Sequence, residues 1–155
     1  MSRFTCLLCL IVAAPALAQV RGVEHVVVFG IDGLGSVGLE KGNIPNVGEL
    51  IKNGAHTFKA RGVMPTVSAP NWASMISGAG PEQHGVVGND WPLPKGFLPP
   101  IFRTNGETGL FPTIFYVLHK EKPAVTQAVV HDWDGFSILF DHGDVPVVEL
   151  GSEDG

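Results

Sequence analysis

Residues 23–31 read VEHVVVFGI, a nearly continuous apolar run rich in β-branched side chains. Such a run is typical of a strand buried on both faces, as in a parallel sheet. A helical pattern follows, with Pro45 near its start and Gly54 at its end. Residues 56–64 have the mixed pattern of a second strand, and 124–130 is predicted as a third strand. Strands that alternate with helices predict an α/β fold with layers of helices around a mostly parallel sheet.

Two further helices are predicted beyond the first. Apolar residues at helical spacing indicate a helix from about Pro70 to Ser77, and TIFYVLHK predicts another over 113–120. The intervening segment 78–100 is rich in proline and glycine, which argues against regular structure there.

The N-terminus has the pattern of a secretory signal peptide over residues 1–18. Arg3 gives a positive start, 7–14 is a short apolar run, and Ala16 and Ala18 form a small-x-small cleavage pattern. The run is too short to span a bilayer, so no stable membrane anchor is expected after cleavage. Both cysteines lie in this segment, so the mature chain would have neither a disulfide nor a thiolate metal site. We therefore expect a secreted or periplasmic protein.

The charge of the chain limits its partners. The formal net charge is −5, with acids and bases scattered rather than in runs. We therefore expect no nucleic-acid-binding patch of the usual basic kind. An acidic balance does not exclude a phosphate substrate, because a bound metal can dominate the local field.

Asp32 and Ser68 are the first candidate site residues. Asp32 ends the first predicted strand and Ser68 follows the second, and ligands bind at the carboxyl ends of strands in open parallel sheets. Each residue also has a structural interpretation, since Asp-Gly is common in turns and serine is a common helix N-cap. As a nucleophile at a helix N-terminus, Ser68 would face phosphate with free N–H groups beside it, and a metal held by Asp32 could activate it.

Two stretches resemble one known family. VVVFGIDGLG (26–35) and the segment 44–89 are similar to the N-terminal half of the nucleotide pyrophosphatase/phosphodiesterase branch of the alkaline phosphatase superfamily. The resemblance implies that Asp32 binds zinc, that Ser68 is the nucleophile and a metal ligand, and that Asn89 hydrogen-bonds a phosphate oxygen. It implies the three-layer α/β/α fold of an alkaline-phosphatase-like enzyme, of which this chain would be an incomplete N-terminal part.

The resemblance also implies a reaction. Two Zn²⁺ ions would clamp the attacking and leaving oxygens while Ser68 forms a phospho-enzyme intermediate. Asn89 and the backbone N–H that follows Ser68 would stabilise the equatorial oxygens. The substrate would be a small-molecule phosphate ester or nucleotide, with diester, monoester and phosphonate left open. The aromatic residues Trp72, Trp91 and Phe97 could stack on a nucleobase or simply belong to the core.

The family's later zinc ligands are not matched in full. Asp141-His142-Gly143 has the right composition, but no earlier segment supplies the expected Asp and His pair, so a loop position is favoured over a metal role for Asp141 and His142. We therefore expect residues 19–155 to be the N-terminal portion of a longer catalytic domain, lacking full activity alone.

Two other functions stay open. One is a non-catalytic secreted domain, a degenerate relative that binds a ligand. The other is a sulfatase, which is disfavoured because position 72 is Trp where the sulfatase motif requires Arg.

Overall fold

A computed structural model describes residues 22–91 and 110–151 of the chain. The chain divides into two compact units, Met1–Ile31 and Asp32–Gly155. The predicted signal peptide and Phe97 lie outside the described residues.

The described part of the first unit, 22–31, forms no helix or strand, and the strand prediction for 23–31 is wrong. Val26 and Phe29 are 81% and 85% exposed instead of being buried on both faces. A strand is held by hydrogen bonds to a neighbouring strand, and none of the described residues pairs with this run. An apolar pattern selects which residues enter a sheet but does not supply the partner.

Helices make up most of the regular structure in the described part of the second unit. Pro45–Asn53 matches its predicted helix and has proline in its first turn, where the missing N–H costs nothing. The helix predicted from Pro70 begins two residues earlier, at Ser68. The helices are α1 (Ser36–Lys41), α2 (Pro45–Asn53), α3 (Ser68–Ser77), α4 (Pro81–His84), α5 (Ile114–Glu121) and α6 (Asp134–Ser137), with a 3₁₀ turn at His142–Asp144.

The predicted helix over 113–120 is confirmed with a shift of one residue. Thr113 is the N-cap, and its side-chain oxygen accepts the N–H of Tyr116 at 3.3 Å. Residues 78–91, the described part of the segment predicted to be irregular, contain the short helix α4, so this part is not wholly irregular.

The sheet of the described residues is small. Strands β1 (Ala128–His131) and β2 (Val147–Leu150) run parallel, with Ala128 opposite Val147 and His131 opposite Leu150. The connection between them carries α6 and the 3₁₀ turn, which is the kind of crossover a parallel pair requires. The α/β class is therefore supported, and β1 overlaps the end of the strand predicted at 124–130 and continues one residue further, to His131.

The predicted extent of the sheet is not found. Residues 56–64 form no strand, so the second predicted strand is wrong as well. Within 22–91 and 110–151 only β1 and β2 pair, and a three-layer arrangement is not seen there. The mixed pattern of 56–64 gave it no continuous apolar face that could hold it against a neighbour.

The core is centred on α3. Its inner face buries small side chains, which lets neighbouring segments approach closely, and Pro70 is fully buried. Apolar residues of the loop after α4 and of the segment after α6 complete this cluster. Its buried members are Ala69, Ala73, Val86, Trp91 and Leu139. A second cluster consists of Val129 of β1 together with Phe140 and Val145. The buried face of α3 fixes the position of its first residue, Ser68.

Candidate functional site

Ser68 is the first residue of α3 and uses its side chain for a long-range contact. Val67, the N-cap, is extended (φ −115°, ψ 167°), and its own side chain makes no capping hydrogen bond. The Ser68 hydroxyl instead donates to Oδ2 of Asp32 at 2.7 Å, across 36 residues of sequence. The structural interpretation of Ser68 as an N-cap is therefore not what the geometry shows.

Asp32 accepts two hydrogen bonds through its two carboxylate oxygens. Oδ2 receives the Ser68 hydroxyl, and Oδ1 receives the N–H of Gly33 at 2.8 Å. Gly33 has φ 70°, a left-handed conformation that glycine adopts without strain. The Asp-Gly turn therefore exists, and it fixes one oxygen while the other faces the serine. Asp32 is exposed, so the pair is open to solvent and to a substrate.

Asn89 reaches the same helix end from a loop. Its Oδ1 accepts the N–H of Ala69 at 2.8 Å. This bond uses the side-chain oxygen and leaves the two N–H donors of the exposed Asn89 amide out of the contact with Ala69. It also occupies the backbone N–H that follows Ser68, which the sequence analysis expected to bind a phosphate oxygen.

Asn71 was missed by the sequence analysis. Its Oδ1 accepts the N–H of Val63 at 2.8 Å, and its Nδ2 donates to the carbonyl oxygen of Val67 at 2.9 Å and, more weakly, to that of Pro65 at 3.4 Å. One amide thus ties the loop that precedes Ser68 to the helix that follows it. The signal was present in the sequence as an amide residue three positions after Ser68.

His84 is buried and acts on the structure of the loop. The N–H of Val86 donates to its Nδ1 at 3.0 Å, so the ring proton lies on Nε2, which donates to the Ser74 hydroxyl at 2.9 Å. Burial lowers the pKa of His84, and the negative charge of Glu82 opposes that shift. A neutral histidine with both nitrogens occupied shapes the loop, together with Gly85 at φ 77°.

Asp141 and His142 are held by local contacts. Oδ1 of Asp141 accepts the N–H of Gly143 at 2.8 Å and so caps the 3₁₀ turn. Nε2 of His142 lies 2.9 Å from both the carbonyl and the hydroxyl oxygen of Ser137. A carbonyl only accepts, so this nitrogen carries the proton and cannot serve as a base for that hydroxyl. These contacts fit the loop interpretation.

The described residues do not form a complete metal site. No group of three or more His, Cys, Asp and Glu side chains that could hold an ion occurs within 22–91 and 110–151. Asp32 and Ser68 bring two oxygens within 2.7 Å of each other, whereas a zinc site needs several protein ligands for each ion. The pair supplies oxygen donors only.

Trp72 and Trp91, the two described members of the predicted aromatic set, both pack in the core cluster around α3. Trp72 packs edge-on against Phe136, with ring centroids 5.4 Å apart, and Trp91 is buried in the α3 cluster. These contacts favour the core interpretation of both side chains. Among the described residues, no helix has the length and apolar character needed to cross a membrane.

Sequence comparison identifies similar proteins. The family model for type I phosphodiesterase/nucleotide pyrophosphatase matches residues 26–135. The chain is 36% identical over 69 residues to ectonucleotide pyrophosphatase/phosphodiesterase family member 1 of Homo sapiens, a match that covers 43% of this chain and 8% of the relative. It is 33% identical over 89 residues to ectonucleotide pyrophosphatase/phosphodiesterase 2 of Saccharomyces cerevisiae, covering 53% of this chain and 17% of the relative.

These relatives are much longer than the aligned region. The chain spans less than a fifth of the length of either. No solved structure gives a significant match.

Proposed function

Because the chain belongs to the type I phosphodiesterase/nucleotide pyrophosphatase family, we propose that Ser68 is the nucleophile of a phosphoester hydrolase. The observation that carries the proposal is the hydrogen bond from the Ser68 hydroxyl to Oδ2 of Asp32, 2.7 Å long. A serine hydroxyl needs a neighbouring base or a metal to become a nucleophile, and Asp32 is the acceptor that this chain provides.

In the proposed reaction, Ser68 Oγ attacks phosphorus at the N-terminus of α3. The hydroxyl proton passes to the Asp32 carboxylate, the Oγ–P bond forms, and the P–O bond to the leaving alcohol or phosphate breaks as the leaving oxygen takes up that proton from Asp32. Water then cleaves the Oγ–P bond and restores the hydroxyl. Asn89 donates its amide N–H groups to an oxygen of the phosphoryl group, and its hydrogen bond to the Ala69 N–H fixes that amide before substrate arrives.

We propose that Asp32 and Ser68 are the donors this segment contributes to a Zn²⁺ site, with further ligands supplied from outside the described residues. A bound zinc ion would favour the alkoxide of the serine and neutralise charge on phosphate oxygens. Since the described donor set is incomplete, the steps above are assigned to the side chains alone.

The proposed substrate is a small molecule with a phosphodiester or pyrophosphate bond, as the names of the matching relatives suggest. The exposed positions of Asp32 and Asn89 suit a substrate that enters from solvent. Residues 1–18 would direct the protein to a secreted or periplasmic location.

Covalent labelling tests the role of Ser68. The purified chain is incubated with a fluorophosphonate, whose P–F bond breaks as a serine Oγ–P bond forms, and labelled peptides are identified by mass spectrometry. We expect the label on Ser68 and not on Ser74 or Ser77, which lie on the same helix and provide an internal control. The variant Ser68→Ala should take no label in this helix. Equal labelling of all three serines would contradict the proposal.

A further inference from the structure

We infer that Asn71 is a positioning residue that holds Ser68 in place for attack, an inference that rests on the proposed function of Ser68. The Asn71 amide contacts three backbone groups of the loop that leads into α3. It accepts the N–H of Val63 at 2.8 Å and donates to the carbonyl oxygens of Val67 and Pro65 at 2.9 and 3.4 Å.

The bond to Val67 is the one that reaches Ser68. The carbonyl of Val67 belongs to the planar peptide group that joins it to Ser68. A hydrogen bond that fixes this oxygen therefore also restricts the positions of the backbone N and Cα of Ser68. The first backbone bond of the helix is weak, because the Asn71 N–H lies 3.5 Å from the same carbonyl oxygen. The side chain of Asn71, at 2.9 Å, therefore holds this carbonyl more closely than the helix backbone does.

The bond to Val63 fixes the other end of the loop. A side-chain amide that accepts one N–H and donates to two carbonyls has a single orientation, since exchanging its oxygen and nitrogen would oppose all three contacts. Gly62 is adapted to this arrangement, because a Cβ there would lie 2.6 Å from Oδ1 of Asn71. The loop, the amide and the start of α3 thus form one unit.

The opposite side of Ser68 is held by other groups. The hydroxyl is bonded to Asp32, and the N–H of Ala69 is bonded to Asn89. Both contacts require that the Ser68 backbone be correctly placed, yet Asn71 touches neither of them. A loosened Val67–Ser68 peptide would therefore disturb contacts that Asn71 does not itself make.

Amide hydrogen exchange on the full chain tests this inference without relying on catalysis. The variants are Asn71→Asp, which cannot donate to the two carbonyls, and Gly62→Ala, which displaces the Asn71 amide while retaining it. Exchange is followed at the N–H groups of Ala69 and, as a distant reference, Val129 in β1. The matched control is Asn53→Asp on α2, where the amide Nδ2 also donates to a backbone carbonyl at 2.9 Å.

We expect the Ala69 N–H to exchange about 5- to 30-fold faster in Asn71→Asp and Gly62→Ala, as the loss of one or two hydrogen bonds would produce. The Val129 N–H should keep its rate in both variants, and Asn53→Asp should leave Ala69 unchanged. An unchanged Ala69 rate would overturn the inference, and so would an equal acceleration at Val129, which would indicate general destabilisation. Fluorophosphonate labelling of Ser68 in the wild-type chain tests the proposed function separately. The exchange result for Asn71 can therefore be interpreted whether or not Ser68 is labelled.

Discussion

Replacing Asp32 by Asn separates two contributions of the same side chain. The amide oxygen can still accept the Ser68 hydroxyl, so the 2.7 Å contact can persist, but a neutral amide cannot take up the proton. A positioned general base contributes about 10²- to 10⁴-fold to a rate, which corresponds to about 2.7–5.4 kcal/mol of barrier. The hydrogen bond is solvent-exposed, so its loss would lower the free energy of unfolding by at most about 1 kcal/mol.

The expected loss of reaction rate is much larger than the expected loss of stability, so measuring both separates the two contributions of Asp32. The rate of Ser68 labelling by a fluorophosphonate is measured for the wild-type chain and for Asp32→Asn, with unfolding midpoints recorded in parallel. We expect labelling to slow at least about 100-fold while the midpoint moves little. Asp141→Asn is the matched control, because that carboxylate also accepts a backbone N–H but caps a different turn. It should leave the labelling rate unchanged.

A specific result would refute the role of Asp32. If Asp32→Asn labels Ser68 within about threefold of the wild-type rate, then the carboxylate accepts a hydrogen bond but no proton. The 2.7 Å contact would then be a structural link between the turn at Asp32 and the start of α3. A large fall in the unfolding midpoint would support the same conclusion.

Three further predictions concern His84, the helix termini and metal binding. Burial lowers the pKa of His84, so the unfolded chain binds a proton at this histidine before the folded chain does as pH falls below 6.5, and the free energy of unfolding should decrease in that range. The unfolding midpoint of His84→Gln should therefore fall less steeply with decreasing pH than that of the wild type or of the control His119→Gln. Gly78 ends α3 with φ 67°, so Gly78→Ala should lower the free energy of unfolding, measured with denaturant, by about 1–2 kcal/mol. Gly48 lies inside α2 with open space around its Cβ position, so Gly48→Ala should raise the same free energy by about 0.5–1 kcal/mol. Calorimetric titration with Zn²⁺ should give binding well below the about 10–16 kcal/mol of a complete structural zinc site, and Asp32→Asn should weaken it further.

Local sequence signals predicted the helices well. Pro45 at the start of α2 and the capping Thr113 before α5 act within one turn, so their effect does not depend on distant parts of the chain. The start of α3 was placed two residues late, because Ser68 has the chemistry of an N-cap and gave no local sign that its hydroxyl would turn to Asp32.

The strands were harder to predict for a physical reason. The segment 128–131 forms a strand because 147–150 lies beside it in register, and neither segment alone contains that information. The run 23–31 has the stronger apolar pattern but no partner among the described residues, so it stays without a strand. Pairing depends on contacts far apart in sequence, and composition reports only that a segment is suited to it.

The candidate site was more predictable than the sheet because it depends on a turn and a helix end. Asp32 is set by the Asp-Gly turn, Ser68 by the extended Val67 and the buried face of α3, and Asn89 by its bond to the Ala69 N–H. The Asp-Gly turn and the start of α3 are local features, whereas the bonds from Ser68 to Asp32 and from Ala69 to Asn89 join residues that are 36 and 20 positions apart. What sequence could not provide was the direction of the hydrogen bonds. The hydroxyl of Ser68 could have capped its own helix, and its contact with Asp32 adds to the sequence pattern the acceptor that a serine nucleophile requires.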